Sequence, residues 1–464
     1  MSFEEQKALI LPLFAESIKF DWSWRRLDDI ADVFDCPHST PNLVDDHTEP
    51  FVVRSQDVRT GTFLHEKAAR VSSKTYQERI KRVEPRFGDL VYSREGTYFG
   101  IAAEVPKGIK VCLGQRMVLI RPDSSIVAHA FLKYWLNSPQ VSGHIHGFRD
   151  GTVAERLNLP VIRGLSVAFP SLAQQKVIGE MLSALDDRIA LLRETSATLE
   201  AIAQAMFKSW FIDFDPVRAK MEGRTPEGMD ETTATLFPDS FEESEMGLVP
   251  KGWRASTMDE VSVVGIGKTP PRKEPQWFSE NTDDVRWVSI RDMGISGAFI
   301  SQTSEYLTAE SIQKFNVRQV PNNTVLLSFK MTIGRVAITD GDMTTNEAIA
   351  HFKLEGHSPL TSEFIYLHLR QFDYSQLSST SSIADAVNSK TVKAIPILVP
   401  DAELALAFQN AVGCIFERIK LIQQQTQTLA TLRDTLLPRL ISGQLRLPAE
   451  VPSQMPSLRE MPYD

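Results

Sequence analysis

A heptad pattern of apolar residues occurs twice in this chain, in the same register and 230 positions apart. The first seam consists of Ile178, Leu185, Leu192, Leu199 and Met206, and its counterpart of Phe408, Ile415, Ile422, Leu429 and Leu436. The second seam consists of Leu182, Ile189, Ser196 and Ala203, and its counterpart of Val412, Ile419, Thr426 and Arg433. Apolar residues at a mean spacing of 3.5 are typical of helices that pair as coiled coils. The repeat predicts two related helices, over residues 172–208 and 402–437, each about 50 Å long at ~1.5 Å per residue.

Two features of these helices leave alternatives open. A long helix in the core of a bundle would also carry apolar seams, although no neighbouring segment supplies the other helices of a bundle. Polar residues interrupt the seams at Ser196, Thr426 and Arg433. They either fix the register of a helix pair or mark where a helix of another chain docks.

The similarity between the two halves extends beyond the helices. Trp24-Arg25 corresponds to Trp253-Arg254, and the strand-like segment 88–93 corresponds to 322–328. Each half ends in a short apolar stretch and a proline just before its long helix, which favours a strand that stops there. Short helical patterns lie between the strands, as at 128–136 and 362–369. We therefore predict a mixed α/β fold with internal duplication, in which two tandem globular domains are separated and followed by long helices.

The predicted boundaries divide the chain into four parts. A first globular domain, with an N-terminal helical segment, covers residues 1–170, and a helical spacer and linker covers 171–250. A second globular domain covers 251–400, and a C-terminal helix and tail cover 401–464.

The linker from residue 209 is polar apart from the aromatic cluster at Trp210, Phe211 and Phe214. We predict exposed aromatics at the end of the first helix, which act either as a packing latch against the helix pair or as a protein-docking patch.

Charge and cysteine content limit the possible functions. The net charge of −9 is distributed unevenly: residues 50–121 carry 14 basic and 7 acidic side chains, whereas residues 171–250 carry 7 and 15. A local basic excess permits binding to nucleic acid, and equally fits a mixed-charge surface. Cys36, Cys112 and Cys414 are odd in number and far apart, which favours a reducing cytoplasm. No stretch of 18 apolar residues suggests a membrane span, and residues 8–14 do not resemble a signal peptide.

Several motifs resemble catalytic sites, and each lacks an essential feature. Residues 262–269 resemble a phosphate-binding loop, but Ser262 replaces the first glycine and Pro270-Pro271 would obstruct the following helix. His144 and His146 have no obvious third metal ligand nearby. The tetrapeptide that usually forms the base-binding loop of amino-methyltransferases and the nuclease pattern of Pro-Asp followed by acid-x-Lys are both absent. We therefore predict a non-catalytic chain that holds no metal.

Basic and amide side chains on predicted loops are the candidates for DNA contact, because Arg and Lys pair with guanine and Asn and Gln with adenine. Most such contacts reach phosphate rather than bases. The candidates in the first half are Arg54, Gln56, Lys74, Arg79, Lys81, Arg82, Arg94 and Arg116. Those in the second half are Lys268, Arg272, Lys273, Arg291, Lys330, Arg335, Asn346 and Lys390.

Segments next to the two helices resemble the specificity subunit of Type I restriction-modification systems. The similar segments are residues 170–176, residues 207–220 with Trp-Phe-Ile-Asp-Phe-Asp-Pro, and residues 436–445 with Leu-Leu-Pro-Arg-Leu-Ile-Ser-Gly-Gln-Leu. The likeness covers essentially the whole chain. The second copy departs at residues 400–404, where the Gln-Gln of the first copy is missing.

The resemblance implies how such a chain would work. Each globular domain would be a target-recognition domain, and the two helices would pair as an antiparallel coiled coil. The DNA target would consist of two short half-sites with an unread spacer. Two methyltransferase subunits would bind the helix-flanking residues, together with restriction subunits. S-adenosylmethionine, ATP and Mg²⁺ would be bound by those partners, and no cofactor by this chain. The implied partner-binding residues are Leu172, Gln174, Gln175, Trp210, Phe211, Phe214, Leu436 and Leu440.

Two other functions remain open from the residues alone. A duplicated coiled-coil adaptor could bind proteins only, and salt-sensitive retention of specific DNA would distinguish it from a specificity subunit. An enzyme could use the Gly-Ile-Gly-Lys-Thr loop, and loss of ATP binding in Lys268→Ala would support that.

Overall fold

The computed structural model describes residues 22–96, 98–146, 156–356, 358, 360–377 and 387–447. The chain forms two compact units, and both long helices are divided between them. The first unit comprises Met1–Ala190 and Thr428–Asp464, and the second comprises Leu191–Gln427. Each unit therefore combines one globular domain with part of each long helix, a division that differs from the four ranges expected from the sequence.

The helices fall into two long ones and several short ones. In chain order they are α1 (Ser73–Arg79), α2 (His129–Leu136), α3 (Pro139–His146), α4 (Leu159–Arg163), α5 (Leu172–Phe211), α6 (Asp215–Met221), α7 (Glu231–Thr235), α8 (Met258–Val261), α9 (Ile290–Ile295), α10 (Ala309–Phe315), α11 (Ser362–Gln371), α12 (Ser389–Lys393) and α13 (Ala402–Ile441). The predicted long helices are confirmed, and each continues three or four residues beyond its predicted end.

The first unit is built on a four-stranded antiparallel sheet of order β2-β9-β6-β7. The strands are β1 (Ser23–Arg26), β2 (Ala31–Asp35), β3 (Phe51–Val53), β4 (Val58–Arg59), β5 (Thr62–Phe63), β6 (Leu90–Ser93), β7 (Ile101–Glu104), β8 (Val111–Leu113), β9 (Met117–Pro122) and β10 (Ser166–Phe169). Strand side chains alternate between faces, so Leu90 and Tyr92 enter the core beside the helices. Val91 enters a second core on the opposite face.

The second unit repeats this arrangement. Its strands are β11 (Phe241–Ser244), β12 (Gly247–Pro250), β13 (Arg254–Thr257), β14 (Val263–Ile266), β15 (Phe278–Ser279), β16 (Val285–Val288), β17 (Phe299–Ile300), β18 (Glu305–Leu307), β19 (Val325–Ser328), β20 (Val336–Thr339), β21 (Thr344–Thr345), β22 (Ile349–Lys353) and β23 (Pro396–Val399). Its main sheet has the order β14-β22-β19-β20-β17. Val325 and Leu327 face one core, and Leu326 faces another.

Three features of the strand arrangement match between the units and confirm the internal duplication. The main sheets share the order of four strands, β2-β9-β6-β7 in one and β14-β22-β19-β20 in the other. Strands at the start and end of each globule pair antiparallel, β1 with β10 and β13 with β23. A short parallel pair completes each unit, β3 with β8 and β16 with β21. These parallel pairs position the loops described below.

The heptad seams of the two long helices are turned away from solvent. Every seam position, including Ser196, Thr426 and Arg433, is buried or half-buried. Positions between the seams, such as Glu194 and Gln424, are exposed. This pattern agrees with the apolar periodicity from which the helices were predicted.

The segment after α5 differs from the polar surface connection that was expected. It contains α6, α7 and the β11–β12 hairpin. The prediction of exposed aromatics is wrong for Trp210 and Phe211, which are only 7% and 6% exposed, but the packing latch against the helices is confirmed for both. Their rings pack against Phe408, with centroids 5.4 and 4.8 Å away. The aromatic cluster is therefore part of the core of the second unit.

The fold shows what the nucleotide-loop-like segment forms. Residues 263–266 of the nucleotide-loop-like segment form strand β14, which pairs with β22, and the chain then continues as a loop rather than a helix. A phosphate-binding strand–loop–helix unit is therefore not formed there. Of the helices within the described ranges, none is long and apolar enough to cross a membrane.

Candidate nucleic-acid interface

Four loops of the second unit meet at the end of the β16–β21 pair. The backbone amide of Lys268 donates to the carbonyl of Thr345 at 2.9 Å, and that of Asn346 donates to Val288 at 3.0 Å. These bonds place the loop after β14, the start of α9 and the loop after β21 side by side. We call the assembly of residues 267–273, 289–291, 329–335 and 346–348 the second loop cluster.

The hairpin loop between β19 and β20 completes this cluster. The amide of Phe329 donates to the carbonyl of Ala348 at 2.9 Å. The Arg335 Nη1 donates to the carbonyl of Ile290 at 2.5 Å. The structure thus brings together Lys268, Arg291, Lys330, Arg335 and Asn346 from four separate segments of the sequence.

Four cations of the second loop cluster are available for a ligand. They are Lys268, Lys273, Arg291 and Lys330, and all are exposed. Among the described residues, none of the four has a carboxylate within ion-pair distance. Exposed, unneutralised cations on adjoining loops attract phosphate. The cluster therefore has the electrostatic character of a phosphate-binding surface.

Other candidates in this region are committed to internal contacts. Arg272 pairs with Glu305 through two hydrogen bonds of 2.6 and 3.0 Å. Its guanidinium also lies over the rings of Phe278 and Trp287, at 4.3 and 4.5 Å. The Asn346 Oδ1 accepts a hydrogen bond from the Ala348 amide at 3.0 Å, which leaves its Nδ2 to donate elsewhere.

Gly267 allows the second loop cluster to close. A Cβ at this position would overlap the carbonyl oxygen of Asn346 and the hydroxyl of Thr345. Only glycine therefore lets the loop after β14 lie against the loop after β21. The glycine that resembled part of a nucleotide motif has a packing role instead.

His351 lies beneath this cluster and carries no charge at neutral pH. Its Nε2 is 2.5 Å from the Thr345 hydroxyl oxygen, and the residue is 5% exposed. Burial, and then the nearby Arg318 guanidinium, lower the pKa of His351 to about 4. The imidazole therefore supports Thr345 as a neutral hydrogen-bonding group.

The first unit has an equivalent arrangement, which we call the first loop cluster and define by residues 54–57, 94–96 and 114–116. The Gly114 amide donates to the carbonyl of Val53 at 2.8 Å, and the Arg94 amide to that of Arg116 at 3.1 Å. Gly96 lies close to Ser55 of the neighbouring loop, since a Cβ built on Gly96 would be 3.5 Å from the Ser55 hydroxyl oxygen. The candidates Arg54, Gln56, Arg94 and Arg116 therefore lie on adjoining loops, beside the β3–β8 pair.

The arginines of the first loop cluster differ from the cations of the second because each has a carboxylate partner. Arg54 pairs with Asp57 at 2.9 Å, Arg94 with Asp35 at 3.2 Å and Arg116 with Glu95 at 3.1 Å. These carboxylates reduce the positive potential and hold the guanidiniums in place. Gln56 is exposed beside them.

The remaining DNA candidates lie outside the two loop clusters. Arg79 is 8% exposed, and its guanidinium donates to the carbonyls of Leu113 and Ser39 at 2.8 and 3.0 Å. This arginine supports the fold, and its prediction as a DNA contact is corrected on that ground. Lys74 on α1 and Lys81 and Arg82 after it are exposed, as is Lys390 on α12.

Burial also corrects several predicted partner-binding residues. Gln175 is fully buried: its Oε1 accepts from the Ala128 amide, and its Nε2 donates to the carbonyls of Ile126 and Pro170. Leu440 is fully buried in the core of the first unit. Trp210 and Phe211 are buried in the second unit, as described above. Such side chains offer no surface to a separate subunit.

The other predicted partner-binding residues remain partly accessible. Leu172, Gln174, Phe214 and Leu436 are half-buried. The sequence reasoning missed exposed apolar positions outside the seams that recur in both helices. Leu191 and Leu421 are 44% and 51% exposed, and Ile202 and Leu432 are 46% and 44% exposed. Each pair is related by the same offset of 230 as the seams, which is the signal that could have identified them.

The histidine pair considered as a metal site is only partly described. His144 is half-buried on α3, and burial lowers its pKa. The side chain of His146 lies outside the described residues. Across the described ranges, no three side chains of His, Cys, Asp or Glu group closely enough to hold a metal ion.

These features define a class of protein in which one α/β domain is duplicated and each copy leads into a long helix. Residues 20–201 and 250–428 match the family described as the Type I restriction modification DNA specificity domain. These matches cover more than half of the chain. The chain therefore belongs to the specificity subunits of Type I restriction-modification systems, as the helix-flanking segments suggested.

Relatives over nearly the whole length agree with this assignment. The chain is 28% identical to the HindI specificity subunit of Haemophilus influenzae, covering 92% of this chain and 100% of that protein. It is 22% identical to the MjaIX specificity subunit of Methanocaldococcus jannaschii, with 92% and 94% covered. A crystal structure of a Type I S subunit from M. genitalium shares the fold, with a TM-score of 0.54, 14% identity and coverage of 92% and 96%.

Proposed function

We propose that this chain selects a bipartite DNA site by reading one half-site with each loop cluster. The observation that carries the proposal is the recurrence of the cluster: equivalent strands in both units bring basic and amide side chains onto adjoining loops. Two DNA-recognition surfaces on one chain suit a target made of two short sequences separated by a spacer that is not recognised. Direct contacts to base edges would supply sequence choice, and cations such as Lys268 and Lys330 would contact phosphate.

We further infer that the two long helices pair as an antiparallel coiled coil. Within the second unit, Phe207 contacts Phe408 with ring centroids 5.8 Å apart, and Arg193 and Ser196 line the same cavity of about 410 Å³ as Thr426 and Gln427. Residue numbers thus rise along one helix as they fall along the other. Within the first unit, Arg433 donates to Asp186 at 2.7 Å, so this polar seam position can fix the register of the pair.

The scaffolding role rests on equivalent exposed surfaces of the two helices. Leu191 and Ile202 on α5 correspond to Leu421 and Leu432 on α13, and all four are at least 44% exposed. A duplicated surface can bind two copies of one partner, which we propose to be two modification subunits. Those subunits would bring S-adenosylmethionine and adenine methylation, and restriction subunits would bring ATP- and Mg²⁺-dependent cleavage. The assembly would act on DNA in the cytoplasm.

Salt-dependent DNA retention tests the DNA-binding part of this proposal. The chain, co-purified with its modification subunit, is titrated with random-sequence duplex at several salt concentrations. Removing one cation that binds a phosphate is expected to make the slope of log K against log salt shallower by about 0.9. Lys268→Ala and Lys330→Ala should each show this change. Lys353→Ala, an exposed lysine at the opposite end of β22, is the matched control.

Two outcomes would contradict the proposal. If the wild-type complex retains no duplex at any salt concentration, the chain functions as a protein-only adaptor. If Lys268→Ala and Lys330→Ala bind with the same salt dependence as the control, the second loop cluster is not the DNA-binding surface.

A further inference from the structure

We propose that Met331 acts as an apolar wedge that enters the DNA at one base step of the half-site read by the second unit. The inference rests on the proposed function and assigns a specificity-determining residue to it. Met331 was not among the sequence-based candidates, which were restricted to basic and amide side chains.

Met331 is unusually exposed for an apolar side chain. It is 86% exposed, at the tip of the loop between β19 and β20. Burying a methionine side chain is favourable, so leaving one in water forgoes that stabilisation. Its backbone also has a positive φ of 61°, a conformation uncommon for residues other than glycine. An exposed apolar tip in this conformation favours a role in binding.

The loop that carries Met331 is held in place rather than loosely extended. The Ser328 hydroxyl donates to the Thr332 carbonyl at 2.6 Å and accepts from the Arg335 amide at 3.0 Å. The Gly334 amide donates to the Ser328 carbonyl at 3.0 Å. Phe329, at the base of the loop, is 1% exposed. The tip is therefore presented in one conformation before any ligand binds, which lowers the entropic cost of insertion.

Basic side chains lie on both sides of Met331 in this loop. Lys330 precedes it and is exposed, while Arg335 closes the loop and joins it to α9, where Arg291 is exposed. Phosphate contacts from these cations would bring the tip of the loop against the bases. Proteins that kink DNA insert side chains of this kind, methionine included, between base pairs. Pyrimidine–purine steps unstack most easily, so we expect one at this position of the half-site.

The equivalent loop of the first unit, between β6 and β7, has no exposed apolar side chain among its described residues. Its Arg94 and Glu95 form ion pairs with Asp35 and Arg116, respectively. The Tyr98 ring in that loop lies beneath the Arg59 guanidinium, 3.8 Å from its centroid. We therefore expect distortion of only one of the two half-sites.

The test uses the complex with the modification subunit and a duplex that contains its methylation site. 2-Aminopurine is placed in turn at each step of both half-sites, and its fluorescence reports unstacking. Wild type should unstack one non-target step in one half-site. Met331→Ala should abolish that signal and weaken specific binding by about tenfold, which corresponds to 1.4 kcal/mol. The salt slope should not change, because the cations that bind phosphate are all retained.

Two further variants separate the wedge from an effect on folding. Met331→Leu keeps an apolar tip and should retain the signal. Met331→Gly fits the positive φ, so it should unfold at the same or a higher denaturant concentration while losing the signal. Met221→Ala, at a methionine that is 57% exposed on α6, is the matched control and should behave as wild type.

The outcomes distinguish failure of this inference from failure of the proposed function. If wild type binds its site but unstacks no step that depends on Met331, the wedge is disproved and specific recognition stands. If Met331→Ala releases the modification subunit instead, Met331 is a protein contact and the wedge is again disproved. If wild type does not prefer its methylation site over random duplex, the proposed function itself fails.

Discussion

At the scale of single residues, Gln174 and Gln175 show how adjacent, chemically identical side chains take different roles. Gln175 is buried and makes three hydrogen bonds of 2.9–3.1 Å, two to the segment before α2 and one to the carbonyl of Pro170. Gln174 is half-buried, and it forms two long hydrogen bonds of 3.4 Å with Ser171. Both were predicted to bind a partner, and only Gln174 retains accessible surface for it.

This contrast leads to a stability prediction. Gln175→Ala leaves a buried amide and two carbonyls without partners, and each unsatisfied buried group costs roughly 1–3 kcal/mol. We expect the free energy of unfolding of the first unit to fall by about 3 kcal/mol. Gln174→Ala is the control and should change it by less than about 0.5 kcal/mol, as surface substitutions usually do. Urea denaturation followed by tryptophan fluorescence measures both, and equal effects of the two variants would show that the buried bonds are not stabilising.

Single residues also show why the sequence could identify the types of side chain that contact DNA. It could not show which of these side chains are exposed and without an ion pair. Arg79, Arg272 and Lys268 look alike in a loop-rich sequence. Burial commits Arg79 to backbone carbonyls, and Glu305 with two aromatic rings engages Arg272. Lys268 alone of the three is exposed without an ion pair among the described residues. These differences come from side chains far away in sequence, which local patterns do not specify.

At the scale of elements, the helices were predictable and the sheets were not. The seams indicate α5 and α13 because heptad spacing is local and repeats over many turns. The predicted ends, Lys208 and Leu437, fall short of Phe211 and Ile441, and the second helix continues through Pro438. Strand order depends on pairing between distant segments, as between β14 and β22, so it could not be read from local alternation.

The two long helices also lead to a prediction about the length of the DNA spacer between the half-sites. If the paired helices set the distance between the half-sites, one heptad inserted into both should lengthen the tolerated spacer. Seven residues add ~10.5 Å at 1.5 Å per residue, which corresponds to about three base pairs at 3.4 Å each. Insertion of a heptad into only one helix is the control and should disrupt the pairing. Methylation-site mapping with both variants checks this, and an unchanged spacer in the double insertion would exclude the helices as the ruler.

At the scale of the whole molecule, duplication provides two related units whose loop clusters have diverged. The first cluster neutralises Arg54, Arg94 and Arg116 with carboxylates, whereas among the described residues Lys268 and Lys330 of the second have no such partner. Equivalent scaffolds with different loops suit the reading of two different half-sites. The sequence repeat revealed the duplication, but this difference in charge became visible only once the fold had brought the loops together.

We propose that one chain specifies a split DNA site, and methylation mapping tests this most directly. The chain is co-expressed with its modification subunit, and methylated adenines are located across the host genome by single-molecule sequencing. We predict one motif made of two short, different half-sites separated by a gap of constant length. A contiguous motif would contradict it, and so would the absence of new methylation from a stable complex with active modification subunits.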